Sequence, residues 1–156
     1  MLKNASRASL FAIAFLGAGA AFAATHAVEV QESREAIMKE MGKSLGVLGK
    51  MAKGQLDYDA ATATAAATAL KDAAEKAHDP ALWPEGTDTM SIDETRAMPD
   101  IWDNMADFEA KGAALIEASI AMEAAAAEGL QPMQAAMGNL GGSCGGCHKV
   151  YRAPEE

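Results

Sequence analysis

Hydrophobic positions recur at helical spacing in four segments of the chain. Their apolar residues return every three or four positions, and alanine, the strongest helix former, fills many of the positions between them. Runs of β-branched residues are short, and glycine and proline fall in a few clusters that separate the segments. The pattern predicts an all-α chain with helices over about 28–53, 59–78, 99–129 and 132–152.

Residues at the segment ends support these boundaries. Gly54 would stop the first helix, Asp59 is a suitable N-cap for the second, and Pro80 lies just past its end. Pro99 suits the first position of the third helix, where a missing N–H costs nothing. The loop between the second and third helices is longer than compact bundles usually carry, and such loops tend to be functional.

The last predicted helix carries both an apolar stripe and a chemical motif. The stripe runs at steps of four, three, four, three and four through Met133, Met137, Leu140, Cys144, Cys147 and Tyr151. Cys144, Cys147 and His148 spell C-x-x-C-H, the pattern that attaches a c-type haem. The two thiols would add to the haem vinyl groups, and His148 would become an axial iron ligand. Because the cysteines lie on the stripe, the haem is predicted to occupy the helical interior.

Other interpretations of the two cysteines fit the chain less well. A thioredoxin-like redox pair needs a βαβ context, which the pattern does not provide. A structural zinc site needs four ligands, and His26 and His78, the other two histidines, lie far away without motif spacing. A disulfide between Cys144 and Cys147 would close too short a loop to constrain much. The sequence therefore predicts one covalently bound haem c with its iron.

The first residues indicate export. Lys3 and Arg7 form a basic start, residues 9–20 are apolar, and the triplet 21–23 fits the small-x-small cleavage rule. We expect residues 1–23 to be a cleaved secretory signal peptide and 24–156 to be the haem domain. Export predicts a periplasmic location. After cleavage we expect no stable membrane insertion.

Charge restricts the partners. The whole chain carries a formal net charge of −9, and loss of two basic residues with the signal lowers it to −11. Such a domain lacks the basic surface that nucleic acids require, so nucleic-acid binding is excluded. The net charge favours a redox partner protein with a basic docking face, or a solvated acidic surface without a specific partner.

The first predicted helix contains two candidates for the haem environment. Its apolar stripe comprises Val30, Ile37, Met38, Met41, Leu45 and Leu48. Arg34 interrupts this stripe without an acid one helical turn away, so a haem propionate and solvent are both open as its destination. Met38 lies one turn beyond Arg34. A methionine can ligate haem iron, although a methionine on such a stripe more often fills a core.

The chain resembles the class II c-type cytochromes, the cytochrome c′ family, over nearly all of 24–156. The similarity is carried by Arg-Glu-Ala-Ile-Met-Lys at 34–39, Lys-Gly-Gln at 53–55 with Tyr-Asp at 58–59, Pro-Asp-Ile-Trp at 99–102, and 144–152. A haem motif near the C-terminus is itself distinctive, since most small c-type cytochromes carry theirs near the N-terminus. The resemblance implies an antiparallel four-helix bundle enclosing the haem, often as a homodimer.

The resemblance also implies roles for individual residues. His148 is the expected proximal iron ligand, and Arg34 matches the arginine that contacts a propionate. Glu35 occupies a neighbouring position at the haem edge, and Thr87 lies in a stretch, 86–88, similar to the loop that passes that edge. Arg152 matches a basic residue beside the proximal histidine, although here the terminal glutamates 155 and 156 could pair with it.

Two functions follow, and they differ at Met38. In low-spin members of the family a methionine at this position binds iron, and the protein carries one electron. In high-spin members the side chain only shields a five-coordinate iron that binds NO or CO. We expect Met38 to be the sixth ligand of a periplasmic monohaem electron carrier, with gas binding as the alternative. No catalytic residues are expected, because no nucleophile–base pair or phosphate loop is present.

Overall fold

A computed structural model describes residues 17–154, and four long helices dominate this range. They are α1 (Gly17–Ala52), α2 (Ala60–Ala77), α4 (Met105–Glu128) and α5 (Leu130–Tyr151). A single-turn helix, α3 (Asp100–Asp103), precedes α4, and a 3₁₀ turn spans Pro80–Leu82. Within 17–154 there is no strand, only an isolated antiparallel bridge between Ala97 and Arg152. The all-α prediction is confirmed.

Two predicted boundaries were wrong. The first helix begins at Gly17 instead of residue 28, so the part of the predicted signal peptide that the structure describes, 17–23, continues into α1. The rest of that peptide lies outside the described residues, and its cleavage stays a prediction. The predicted third helix is interrupted at Asn104, whose φ of −131° and ψ of 44° are not helical. The Asn104 side chain donates to the carbonyl of Asp100 at 3.3 Å, a local bond that competes with helix continuation.

Other helix ends follow the predicted chemistry. Asp59 caps α2 by accepting a 2.7 Å hydrogen bond from the Thr62 N–H, as predicted. Gly129, at φ 143°, makes the sharp break between α4 and α5 that a side chain would disfavour. Pro132 then lies in the first turn of α5, where the missing N–H has no helical partner to lose.

The core is built from small alanines on α2 and larger side chains on the other helices. Ala63, Ala67 and Ala73 are fully buried on one face of α2, which lets α1 and α4 approach it closely. Leu48 and Met51 from α1, Met122 from α4, and Met133 and Leu140 from α5 fill the centre. Within the described part of the chain, α1 and α5 pack together more loosely than the other neighbouring helices. No helix in 17–154 combines the length and apolarity needed to cross a bilayer.

Candidate functional site

Helix α5 turns the C-x-x-C-H motif toward the interior. Leu140 and Tyr151, one on each side of the motif, are 0% and 3% exposed, as the predicted stripe requires. Cys144, Cys147 and His148 between them are half-buried, and both thiols are free. The last turn of α5 is held by the loop after the 3₁₀ turn, because Tyr151 accepts at its carbonyl from the Met98 N–H at 3.0 Å.

Two adjoining cavities open on the motif. The outer cavity has a volume of about 460 Å³ and reaches the loop residues 94–97. The inner cavity, of about 380 Å³, extends between the four long helices to Leu45, Leu70 and Leu115. The two cavities share six of their lining residues, which are Met38, Trp83, Phe108, Cys147, His148 and Arg152. His148 therefore lies between an apolar inner cavity and a more polar outer cavity.

The motif side chains titrate abnormally because they are withdrawn from water. Burial raises the pKa of both Cys144 and Cys147, which disfavours the thiolate. Burial also lowers the pKa of His148, and the positive charges of Arg152 and Arg96 lower it further. A neutral imidazole is the form that can ligate a metal ion. A raised thiol pKa is the opposite of what an activated redox pair requires.

Arg34 is the buried cation of the site. It is 6% exposed, its Nη2 donates to the Thr87 carbonyl at 2.9 Å, and burial lowers its pKa. Among the described residues, Nε and Nη1 have no hydrogen-bond partner although both are buried. Unsatisfied buried donors are costly, and an anion in the outer cavity would satisfy them. A carboxylate-bearing macrocycle attached at the motif therefore fits the donor set.

Met38 faces the motif from α1. It lines both cavities and is 37% exposed, so its side chain is not buried in the core, where a methionine on the apolar stripe of a helix usually lies. His148 lines the same cavities from α5. The structure thus brings a thioether and an imidazole to one space from two different helices.

The remaining predicted site residues fall into different positions. Glu35 lines the outer cavity but is exposed and pairs with Lys39 at 2.7 Å. Thr87 is 1% exposed, and its hydroxyl donates to the Pro84 carbonyl at 2.8 Å. It does not line either cavity; its carbonyl holds Arg34. Arg152 lines both cavities, and the terminal glutamates suggested as its partners lie outside the described residues.

The sequence analysis gave no site role to Arg96, His78 or three aromatic residues, of which Tyr151 was named only on the stripe of the last helix. Trp83, Phe108 and Tyr151 form a chain of edge-on ring contacts, with centroids 4.6 and 5.5 Å apart. Arg96 lines the outer cavity and donates from Nη2 to the Ala153 carbonyl at 2.6 Å. His78, which the sequence analysis considered only as a zinc ligand, lines the inner cavity. The chain is only 5% aromatic, and this scarcity was the one available signal for the aromatic residues.

Fold and site together define a class: a helical bundle whose internal cavities meet a C-x-x-C-H motif is built to hold a covalent haem c. Comparison with known proteins gives the family. A sequence profile described as Cytochrome C′ matches residues 29–152. The chain belongs to the cytochrome c′ family, whose members bind one covalent haem c with its iron.

Individual relatives agree with this assignment. The chain is 40% identical to cytochrome c-554 of Cereibacter sphaeroides over 121 residues, 78% of each protein. It is 38% identical to cytochrome c-556 of Agrobacterium fabrum over 151 residues, 97% of this chain and 95% of the relative. The solved structure of cytochrome c′ from Rhodobacter Spheriodes superposes with a TM-score of 0.78 at 37% identity, covering 83% of this chain and 98% of that one.

Proposed function

We propose that this protein is a periplasmic one-electron carrier whose haem is held by Cys144 and Cys147, with His148 and Met38 as the two axial iron ligands. The observation that carries the proposal is that Met38 and His148 line the same two cavities from α1 and α5. When bound, the haem would supply the one-electron Fe(III)/Fe(II) couple. The polypeptide would supply the rest of the function, which is to position the ligands and to exclude water.

The polypeptide would fix the ligands and exclude water. Leu45, Leu70 and Leu115 line the inner cavity with apolar surface, which limits solvent reorganisation when charge changes. The thioether of Met38 is a ligand type that raises the potential of haem iron. Arg34 would place a buried positive charge beside the propionates. Such a role needs no nucleophile or general base, in keeping with relatives that are named as cytochromes.

The experiment compares Met38→Ala with Met41→Leu in the holoprotein. Met41, one turn further along α1, is 8% exposed and lines only the inner cavity, so its variant is a matched control. Absorption spectra are recorded oxidised, reduced, and reduced under CO. We expect the wild type and Met41→Leu to show a low-spin spectrum without a CO response.

Met38→Ala should become high-spin and bind CO, because the sixth position loses its side chain. A wild type that already binds CO, with a reduced spectrum unchanged in Met38→Ala, would refute ligation by Met38. That result would leave the alternative, a five-coordinate NO- or CO-binding protein in which Met38 only shields the iron. Replacement of His148 should abolish normal axial ligation under either function.

A further inference from the structure

Exposed basic residues collect on one side of the molecule, which we term the basic face. It comprises Lys39, Lys43 and Lys50 on α1, Lys53 just after the last residue of α1, and Lys149 and Arg152 at the end of α5. Lys39, Lys43 and Lys50 are spaced by four and seven residues, which places them on one side of the helix. Met41 and Leu48, which are buried, lie on the opposite side of α1. All six basic side chains are exposed.

The basic face is nearly free of acids. Glu40 is the only acidic residue in 39–53, and 130–152 contains none. The protein as a whole carries a net charge of −9. Exposed acids occur on α2 and α4, for example Asp72 and Glu117, and also on the first half of α1 at Glu29, Glu32 and Glu35. Positive charge therefore predominates on the second half of α1 and at the end of α5.

The basic face borders the candidate haem site. Lys39 and Arg152 both line the outer cavity, one from each helix. Lys39 directly follows Met38, and Arg152 lies one turn after His148. Glu35 pairs with Lys39 at the edge of this face, but an exposed pair of this kind contributes little and is easily exchanged. Lys39 and Arg152 thus place positive charge at the opening from two helices, beside the acids Glu35 and Glu94 that line the same cavity.

A simple solvated surface accounts for part of this arrangement only. Lys50 and Lys53 lie at the C-terminal end of α1, where the helix dipole favours cations. That effect falls off within one turn, so it does not explain Lys39 and Lys43 near the middle of the helix. It also leaves unexplained why Glu40 is the only acid between Lys39 and Lys53, whereas charges of both signs usually alternate on a solvated helix face.

We infer that the basic face is the docking surface for an acidic patch on a protein redox partner. The inference rests on the proposed electron-transfer function, because it names the partner of the same site. It differs from the partner with a basic docking face that net charge alone suggests. Charges more than about 10 Å away are largely screened at 0.1 M ionic strength, so the local face decides how a partner approaches the site.

The first test uses ferricyanide as an anionic electron acceptor. The ferrous holoprotein gives one electron to ferricyanide, forming ferric protein and ferrocyanide, and the second-order rate is followed against salt. If net charge governs the encounter, two anions repel and the rate rises with salt. If the basic face governs it, the rate falls about threefold or more between about 10 and about 200 mM ionic strength. A rising rate would overturn the inference.

Charge variants locate the effect. Lys43→Gln and Lys50→Gln each remove one positive charge from the basic face, and Lys76→Gln removes the same charge from α2, beside acidic Glu75. At low salt each basic-face variant should slow ferricyanide oxidation by roughly twofold, while Lys76→Gln changes it much less. Equal losses in all three variants would mean that only net charge matters, and the docking surface would be rejected.

A polymer test distinguishes an acidic protein from a lipid surface. Amide NMR spectra of the holoprotein are recorded with poly-L-glutamate, and co-sedimentation is measured with phosphatidylglycerol vesicles. Shifts concentrated in 39–53 and the end of α5, and reversed by salt, support an acidic polypeptide partner. Binding to vesicles without these shifts would assign the face to a membrane and overturn the inference. Failure of the proposed function is separate, since it appears as CO binding by the wild type.

Discussion

The guanidinium carbon of Arg34 lies 4.9 Å from the ring centroid of Trp83, and this contact joins α1 to the loop that closes the outer cavity. The same arginine donates to the Thr87 carbonyl at 2.9 Å. The indole N–H of Trp83 in turn donates to the Ala77 carbonyl at the end of α2, at 2.9 Å. Stacking and hydrogen bonding thus fix the guanidinium while leaving Nε and Nη1 for an anion.

Arg34 should tune the reduction potential. A buried positive charge favours the ferrous state, which carries one positive charge less, so Arg34→Met is expected to lower the potential. A charge-assisted interaction of about 1.4 kcal/mol corresponds to about 59 mV for one electron. Potentiometric titration of the holoprotein measures the shift. Arg34→Lys keeps the charge and should recover part of it; equal potentials in wild type and Arg34→Met would remove the electrostatic role.

We expect the position of Gly112 to require a residue without a side chain, because the His78 ring packs against it. A Cβ added at Gly112 would overlap Nδ1 of His78 and lie 3.1 Å from its Cε1. Glycine to alanine inside a helix normally stabilises by about 1 kcal/mol, but here we expect Gly112→Ala to destabilise by about 1 kcal/mol. In a His78→Ala background, Gly112→Ala should instead stabilise the protein. Thermal melting of the wild type, the two single variants and the double variant measures this.

Gly138→Ala on α5 is the control for that cycle, because nothing lies within 4 Å of the added Cβ. It should stabilise by roughly 0.5–1 kcal/mol in either background. If Gly112→Ala and Gly138→Ala had the same effect, close packing of His78 against α4 would be disproved.

Tyr151 should resist ionisation. Its hydroxyl donates to Oδ2 of Asp107 at 2.6 Å, and this bond, followed by burial, raises the pKa of Tyr151 to about 12. The neutral phenol therefore adds stability that is complete below the usual tyrosine pKa of about 10 and is lost as the pH rises toward 12. Phenolate absorbance should show a step near pH 12 that Tyr151→Phe removes and Asp107→Asn lowers. A wild-type titration complete near pH 10 would contradict this.

Glu123 should make the bundle sensitive to acid. Its carboxylate accepts from Lys71 at 2.8 Å and from the Thr68 hydroxyl at 2.6 Å, and these bonds lower the pKa of Glu123. The stability from this depressed pKa is present above the ordinary glutamate value of about 4.3 and is lost as the pH falls through the folded-state pKa. Thermal melting at pH 7 and pH 3.5 should show a smaller acid loss for Glu123→Gln than for wild type. Glu117 is exposed on the same helix, and Glu117→Gln should lose as much thermal stability between pH 7 and pH 3.5 as the wild type does.

The sequence predicted the helices well where periodicity and end chemistry coincided. Asp59 caps α2 as expected, because an N-cap bond is made within three residues. The break at Asn104 was missed, since its backbone still bonds to Asp100 and Phe108 as in a helix and only its φ and ψ depart from helical values. The start of α1 was placed too late, because the apolar residues before 28 were interpreted as a signal segment.

The residues of the candidate site also differ in whether a local sequence pattern could predict them. The motif of Cys144, Cys147 and His148 lies within one helix, so its spacing alone was enough to predict it as the haem attachment site. Thr87 was named for the haem edge from resemblance, and that role stays a prediction. The bond from Arg34 to its carbonyl spans 53 positions, so no local pattern could indicate it. The position of His78 at the inner cavity was not predicted, because its packing against Gly112 joins two helices distant in sequence.

By itself, the sequence determined the helical class, the covalent haem motif and the inward stripe of α5, because each depends on residues within a few turns of one another. Only the tertiary structure decided which side chains share the cavities with His148, how Trp83 and Thr87 hold Arg34, and where charge collects on the surface. The spacing of Lys39, Lys43 and Lys50 in the sequence already places them on one side of α1, but only the packing of α5 beside α1 brings Arg152 to the cavity that Lys39 lines. That adjacency is a long-range packing outcome, and no local pattern encodes it.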